Sequence, residues 1–209
     1  MFIENLFPKL LVVAILLLIA FPIHEAAHAW TAYRLGDATA KLFGRVSLNP
    51  IVHFDPLGAL MLLISVGVGS GLVVGWAKPT PVNTANLRDR RNGEVLVALA
   101  GPVSNWLMAL AGALVVRLLA LPNDATSIPS LVAFYFVLFN IVLGIFNLLP
   151  VPPLDGSALL FRFLSPRQVW QIRPVLSQYG IFILLAVLIV AGPLLGHLIF
   201  SVALALLGW

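Results

Sequence analysis

Residues 7–33 read FPKLLVVAILLLIAFPIHEAAHAWTAY: an apolar run long enough to cross a bilayer, with His24, Glu25 and His28 in its second half. The run exceeds the roughly 20 residues that span a hydrocarbon core about 30 Å thick, and it is apolar on every face from Leu10 to Ala20. Its start carries Glu4 and Lys9 without a basic cluster, and it leads into histidines rather than a small-residue cleavage site, so a retained span is expected rather than a signal peptide.

The rest of the chain agrees. Of 209 residues, 61% are hydrophobic and 10% charged, and the mean hydropathy is +1.05. Those values exclude an ordinary soluble domain. Further apolar stretches cover 56–76, 94–121, 129–149 and 179–209. Runs apolar on all faces argue for helices and against a barrel of alternating strands. The expectation is an all-α polytopic membrane protein of about four to five transmembrane helices. It forms one integral domain over 1–209, with a core at about 7–165 and a C-terminal hydrophobic segment at 179–209 broken by Gly192-Pro193. The alternating piece Leu42 to Leu48 suits a small strand at the membrane surface.

Pro56 to Trp76 is ambiguous, because Gly67, Gly69, Ser70 and Gly71 interrupt it. Loop charge favours a Gly-rich re-entrant hairpin over a crossing. If the chain enters and returns there, Arg34, Lys41, Arg45, Lys78, Arg88, Arg90, Arg91, Arg162, Arg167 and Arg173 all share the cytoplasmic side, ten of the twelve basic residues. The formal charge of +4 then needs no nucleic-acid partner. The expected location is the bacterial plasma membrane, with the histidine end of the first span toward the cytoplasm.

His24-Glu25-Ala26-Ala27-His28 has the H-E-x-x-H spacing. Positions four apart on a helix differ by about 40° and 6 Å, so both imidazoles can reach one ion. Glu25 lies about 60° around from His28, where its carboxylate can take a proton from water activated by the ion. Two histidines and a glutamate could instead be interhelical polar contacts, but three ionisable groups in one span mark a functional site. With no cysteine, the ion must be held by nitrogen or oxygen.

A catalytic zinc wants a third protein ligand, from His53, His197 or the carboxylates. Asp155 is preferred, since it follows a span in a proline-bounded turn before Gly156 and shares the cytoplasmic side with His24. Asp55 competes, but an Asp directly before Pro56 fits a helix N-cap. His197 suits a packed or interfacial position.

The pair His24-Glu25-x-x-His28 and Asn147-Leu148-Leu149-Pro150-x-Pro152-Pro153-Leu154-Asp155-Gly156 resembles the signature of the site-2 proteases, intramembrane zinc metalloproteases of the M50 group. Gly101-Pro102-x-Ser104-Asn105 is similar to that family's third core helix, so the likeness covers most of residues 20–165. The resemblance implies one Zn2+ held by His24, His28 and Asp155, with Glu25 as general base. It also implies a role for Asn147 at the substrate backbone or a developing oxyanion; from the residues alone, Asn147 reads equally as a polar contact at a helix end. The implied activity is hydrolysis of peptide bonds in transmembrane segments of membrane-protein substrates, as in regulated intramembrane proteolysis. The chain looks like a minimal type without a PDZ domain. A metal or proton transporter is the rival class, but no second copy of the His-Glu cluster marks an inverted repeat.

Overall fold

Pro22 shapes the first span. A proline has no N–H to return to the preceding turn, and the helix meets this with a π turn just ahead of it. In the computed structural model, which describes residues 6–68, 73–124 and 127–209, α1 (Leu6–Ile15) passes through a π turn at Leu16–Ala20 into α2 (Phe21–Arg34). The N–H of Phe21 bonds the Leu16 carbonyl across that wider turn. Beyond it, α2 buries Pro22, His24, Ala26, His28, Ala29 and Ala32.

After the short helices α3 (Thr39–Leu42) and α4 (Pro50–His53), the chain forms α5 (Pro56–Val68), then α6 (Arg90–Leu118), α7 (Ile128–Asn147), α8 (Gly156–Phe163) and α9 (Pro166–Leu207). Four of these segments are long and apolar enough to cross a membrane: 7–34, α6, α7 and α9. Helix α6 lies at the centre. It runs antiparallel to α2, with Asn105 beside His24 and Val97 beside His28, and antiparallel to α7, with Asn105 beside Asn140. Glycine sets the α6–α7 separation, because a Cβ on Gly144 would overlap the Trp106 ring.

The described part of helix α5 has 13 residues, about 20 Å, short of a crossing. Leu62 and Val66 pack against Val12, Val13 and Leu16, and the Lys9 ammonium donates to the Gly67 carbonyl, so α5 runs beside most of α1. The expected bend falls partly on Gly69, Ser70 and Gly71, which lie outside the described residues. Past it, the chain comes back along the same helix in extended form. Val74 N–H donates to Ser65 Oγ, Gly75 packs on Leu62, Trp76 on Gly58, and Lys78 N–H donates to the His53 carbonyl.

Two expectations need correction. Leu42 to Leu48 is not a strand, and no strand occurs among the described residues. Its alternation is overridden by Gly44, which ends α3 at φ +69° with Gly44 N–H bonded to the Lys41 carbonyl and Arg45 N–H to that of Ala40. The C-terminal run is also not broken at Gly192-Pro193. Ser165 and Gln168 form a capping box with Pro166 in the first turn, and the resulting helix of 42 residues, about 63 Å, carries Pro174 and Pro193 inside it. Apolar surroundings tolerate such prolines when nearby groups take over the freed backbone atoms. Arg117 fastens the far end of α9 by donating to the Ala205 and Leu206 carbonyls.

Gly144→Val should force α6 and α7 apart, costing about 1–3 kcal/mol or more as overpacking and lowering the thermal midpoint in detergent. Gly192→Ala, at a helical position with nothing within 4 Å, should leave that midpoint unchanged or raise it.

Candidate metal centre

Three elements converge inside the bundle. Helix α2 supplies His24 and His28 on its buried face, Asp155 stands directly before α8, and α6 lies across from both. Asp155 is the residue before α8 but does not cap it; its carboxylate turns instead toward the imidazoles. Nε2 of His24 lies 3.0 Å from Nε2 of His28, and Oδ2 of Asp155 lies 3.2 Å from the first and 3.3 Å from the second. Both histidines are 7% exposed, and their ring planes lie 82° apart.

The protons decide what this triangle can hold. His28 Nδ1 is 2.7 Å from the Val97 carbonyl, an atom that can only accept, so Nδ1 carries the proton. Neutral His28 therefore aims a lone pair from Nε2 at the centre. His24 Nδ1 faces the Asn105 side-chain oxygen at 2.6 Å, an arrangement that also places the proton on Nδ1. Asp155 Oδ2 is buried and receives no hydrogen bond. Three acceptors thus face one point, a placement that costs several kcal/mol per unpaired group unless a cation joins them.

The spacing fits zinc. Ligand bonds of about 2.0–2.2 Å in a tetrahedron give edges of about 3.3–3.6 Å, a few tenths of an ångström wider than the 3.0–3.3 Å observed, so small side-chain shifts would seat the ion. His24, His28 and Asp155 could therefore hold a metal ion and leave a fourth position open. Gly101 on α6 forms the wall behind the rings, where a Cβ would overlap both imidazoles.

Glu25 lines the same cavity of about 900 Å³, as does Asn147. Thr80 N–H donates to Glu25 Oε2 at 2.8 Å and Thr80 Oγ1 to the Glu25 carbonyl at 3.0 Å. Thr80 belongs to the returning segment, which is held at both ends. Arg45 donates to the Val52 and Lys78 carbonyls, and Asn83 N–H donates to Asp37 Oδ2. Asp37 is buried, which raises its carboxyl, but bonds from Thr39, Asn86 and Asn83 prevail and hold it below the usual range. Asn147 donates to the Leu143 carbonyl one turn back, so one of its two amide hydrogens is committed there.

The other candidates fall elsewhere. Asp55 Oδ1 accepts from Gly58 N–H as the cap of α5, and His53 Nε2 bonds the Ser47 carbonyl. His197 is exposed on α9. Sequence reading missed Thr80, whose contribution is a backbone N–H. The available signal was Pro79-Thr80-Pro81, where prolines leave residue 80 as the only donor.

A family model described as Peptidase family M50 matches residues 12–191. The chain is 37% identical over 187 residues to the Bacillus subtilis (strain 168) protein named "Putative zinc metalloprotease YwhC", covering 84% of this chain and 78% of that one. It is 32% identical over 177 residues to "Putative zinc metalloprotease Rip2" of Mycobacterium tuberculosis (strain ATCC 25618 / H37Rv), covering 80% of this chain and 62% of the relative. It is 29% identical over 205 residues to "Putative zinc metalloprotease Rip3" of the same strain, covering 94% of this chain and 43% of that one. No solved structure matches the chain.

Gly101→Ala should displace the imidazoles and weaken divalent-metal binding on the order of 10-fold or more. His197→Ala and Asp55→Asn should bind metal like the wild type. Elemental analysis and chelator competition on purified protein read both outcomes.

Proposed function

The chain belongs to peptidase family M50 and is a zinc metalloprotease, and on that premise we propose that it acts inside the membrane, hydrolysing peptide bonds in transmembrane segments of other membrane proteins. The observation that carries this reading is the convergence of three unsatisfied acceptors beside a carboxylate, within a bundle of membrane-spanning helices. One Zn2+ would be held by His24, His28 and Asp155. The chain forms a single integral domain in the plasma membrane, with the site toward the cytoplasmic side, where the ten basic loop and helix-end residues gather. The transmembrane substrate would reach the site from the surrounding bilayer.

Zinc bound there would supply Lewis acidity for the scissile carbonyl and lower the pKa of an adjacent water toward about 7. The protein's own groups do the rest. Glu25 takes a proton from the attacking water on Oε1, since Oε2 is engaged by Thr80 N–H. Water oxygen adds to the carbonyl carbon, the C–N bond breaks, and Glu25 returns the proton to the departing amine nitrogen. Asn147, which lines the cavity and donates one of its two amide hydrogens to Leu143, is the proposed donor of the other to the substrate backbone or oxyanion.

The substrate must be unwound to be cut, because a helical peptide bond is shielded by its own hydrogen bonds. The returning segment offers a partial template. Gly75 to Ala77 borders the cavity in extended form, so an unwound substrate could add along it. Beyond Lys78 the two prolines remove alternate donors, and Thr80 spends its N–H on Glu25, which limits pairing to the part before Pro79.

Glu25→Gln should keep zinc but lower cleavage of a model transmembrane substrate on the order of 10²–10⁴-fold, the usual worth of a general base. Asp155→Ala should lose most zinc and most cleavage. Undiminished cleavage by Glu25→Gln would sink the proposed base, and full zinc content in Asp155→Ala would sink the ligand set.

A further inference from the structure

Two asparagines sit with no exposure in the middle of the bundle, Asn105 on α6 and Asn140 on α7. An amide in apolar surroundings is costly unless its groups are paired, and here the pairing has a direction. Asn140 Nδ2 lies 2.8 Å from the Phe136 carbonyl one turn back on α7. A carbonyl only accepts, so the Asn140 nitrogen must face it and the Asn140 oxygen must face the other way. That oxygen accepts from Asn105 Nδ2 at 2.9 Å. The Asn105 oxygen is then the atom turned to His24 Nδ1 at 2.6 Å, which obliges Nδ1 to donate. A neutral imidazole has one N–H, so Nε2 is left with its lone pair aimed at the three-acceptor point.

We propose that Asn140 is a positioning residue of the metal centre: through Asn105 it fixes the tautomer and ring orientation of His24, from a helix that supplies no ligand. This rests on the zinc-ligand role proposed for His24. His28 reaches the same state without a relay, because its Nδ1 meets the Val97 carbonyl directly. His24 faces a side-chain amide, which can present either its oxygen or its nitrogen. Without Asn140, Asn105 is free to turn its nitrogen toward His24, which would favour the tautomer that carries the proton on Nε2 and blocks the metal.

The test measures zinc affinity of the full chain in detergent by competition with a chromophoric chelator. Asn105→Leu should weaken zinc 10–100-fold, the usual effect of losing a partner behind a ligand, and Asn140→Leu on the order of 10-fold. The double variant should match Asn105→Leu alone, since Asn140 acts only through Asn105. Asn140→Asp should bind zinc near the wild-type level, because a buried neutral carboxyl can donate to the Phe136 carbonyl and accept from Asn105. It also tests the idea if the leucine variant does not fold. Wild-type affinity in Asn140→Leu would overturn the proposal. So would an equal further loss when Asn140→Leu is added to Asn105→Leu, or an Asn140→Asp variant as weak as the leucine one. His24→Ala separates the two layers, since undiminished zinc binding there would overturn the ligand role itself.

Discussion

Three lone pairs directed at one point inside an apolar bundle form the constraint around which the rest of this structure is arranged. Nε2 of His24, Nε2 of His28 and Oδ2 of Asp155 lie 3.0–3.3 Å apart, with no hydrogen between them that could satisfy all three. A proton could bridge one pair. Only a cation with several coordination positions answers all of them, and each element around the site contributes to keeping the acceptors facing inward. Val97 and Asn105 take the Nδ1 protons, Gly101 leaves room for the rings, and the turn before α8 delivers the carboxylate. In hydrocarbon such an arrangement has no water to fall back on, so a partial version would cost more than an apolar core.

The close approaches that permit this geometry come from glycine and proline rather than from large apolar side chains. Gly156 packs so near the Leu148 carbonyl that a Cβ would overlap it, which draws the Asp155 turn against the end of α7. Gly180 does the same against the Pro152 carbonyl, bringing α9 over that turn from outside. The π turn at Leu16–Ala20 absorbs the missing donor of Pro22 and lets α2 begin its buried face immediately afterwards. Small residues therefore set distances between helices where lipid offers no hydrophobic reason for helices to associate.

Much of this was legible in the sequence, for reasons that differ by element. His24 and His28 could be paired because helical periodicity is a local property, and Asp155 could be joined to them because loop charge placed both ends on one side. Asp55 could be assigned to a cap because the residue after it is proline, and its bond to Gly58 N–H is of that kind. The strand expected at Leu42 to Leu48 failed where alternation competed with Gly44, whose left-handed φ ended a helical turn instead. The break expected at Gly192-Pro193 failed because a proline inside a long apolar helix loses one hydrogen bond without ending the helix. Asn140 left no trace as a participant, since one amide among many polar residues of a span looks like any interhelical contact until its partner's direction is known.

The returning segment after α5 raises a different kind of constraint, because it ties the placement of Glu25 to parts of the chain far from the histidines. Its backbone is clamped at Lys78 by Arg45 and His53 and at Asn83 by Asp37, and between those clamps the single N–H of Pro79-Thr80-Pro81 meets the Glu25 carboxylate. A carboxylate on a helix has three rotatable torsions and would otherwise sample several directions in a cavity of this size. Fixing one oxygen leaves the other with a defined heading, which the general-base role proposed for Glu25 requires. The prolines serve that end twice: they stiffen the segment, and they remove every competing donor from its middle. The proposed metal site and the proposed base are thus held by different groups, the first by amides and carbonyls of α6 and α7, the second by an extended strap that meets α2 at Glu25, α5 at Ser65 and, through Val82, the cluster containing Val97 of α6.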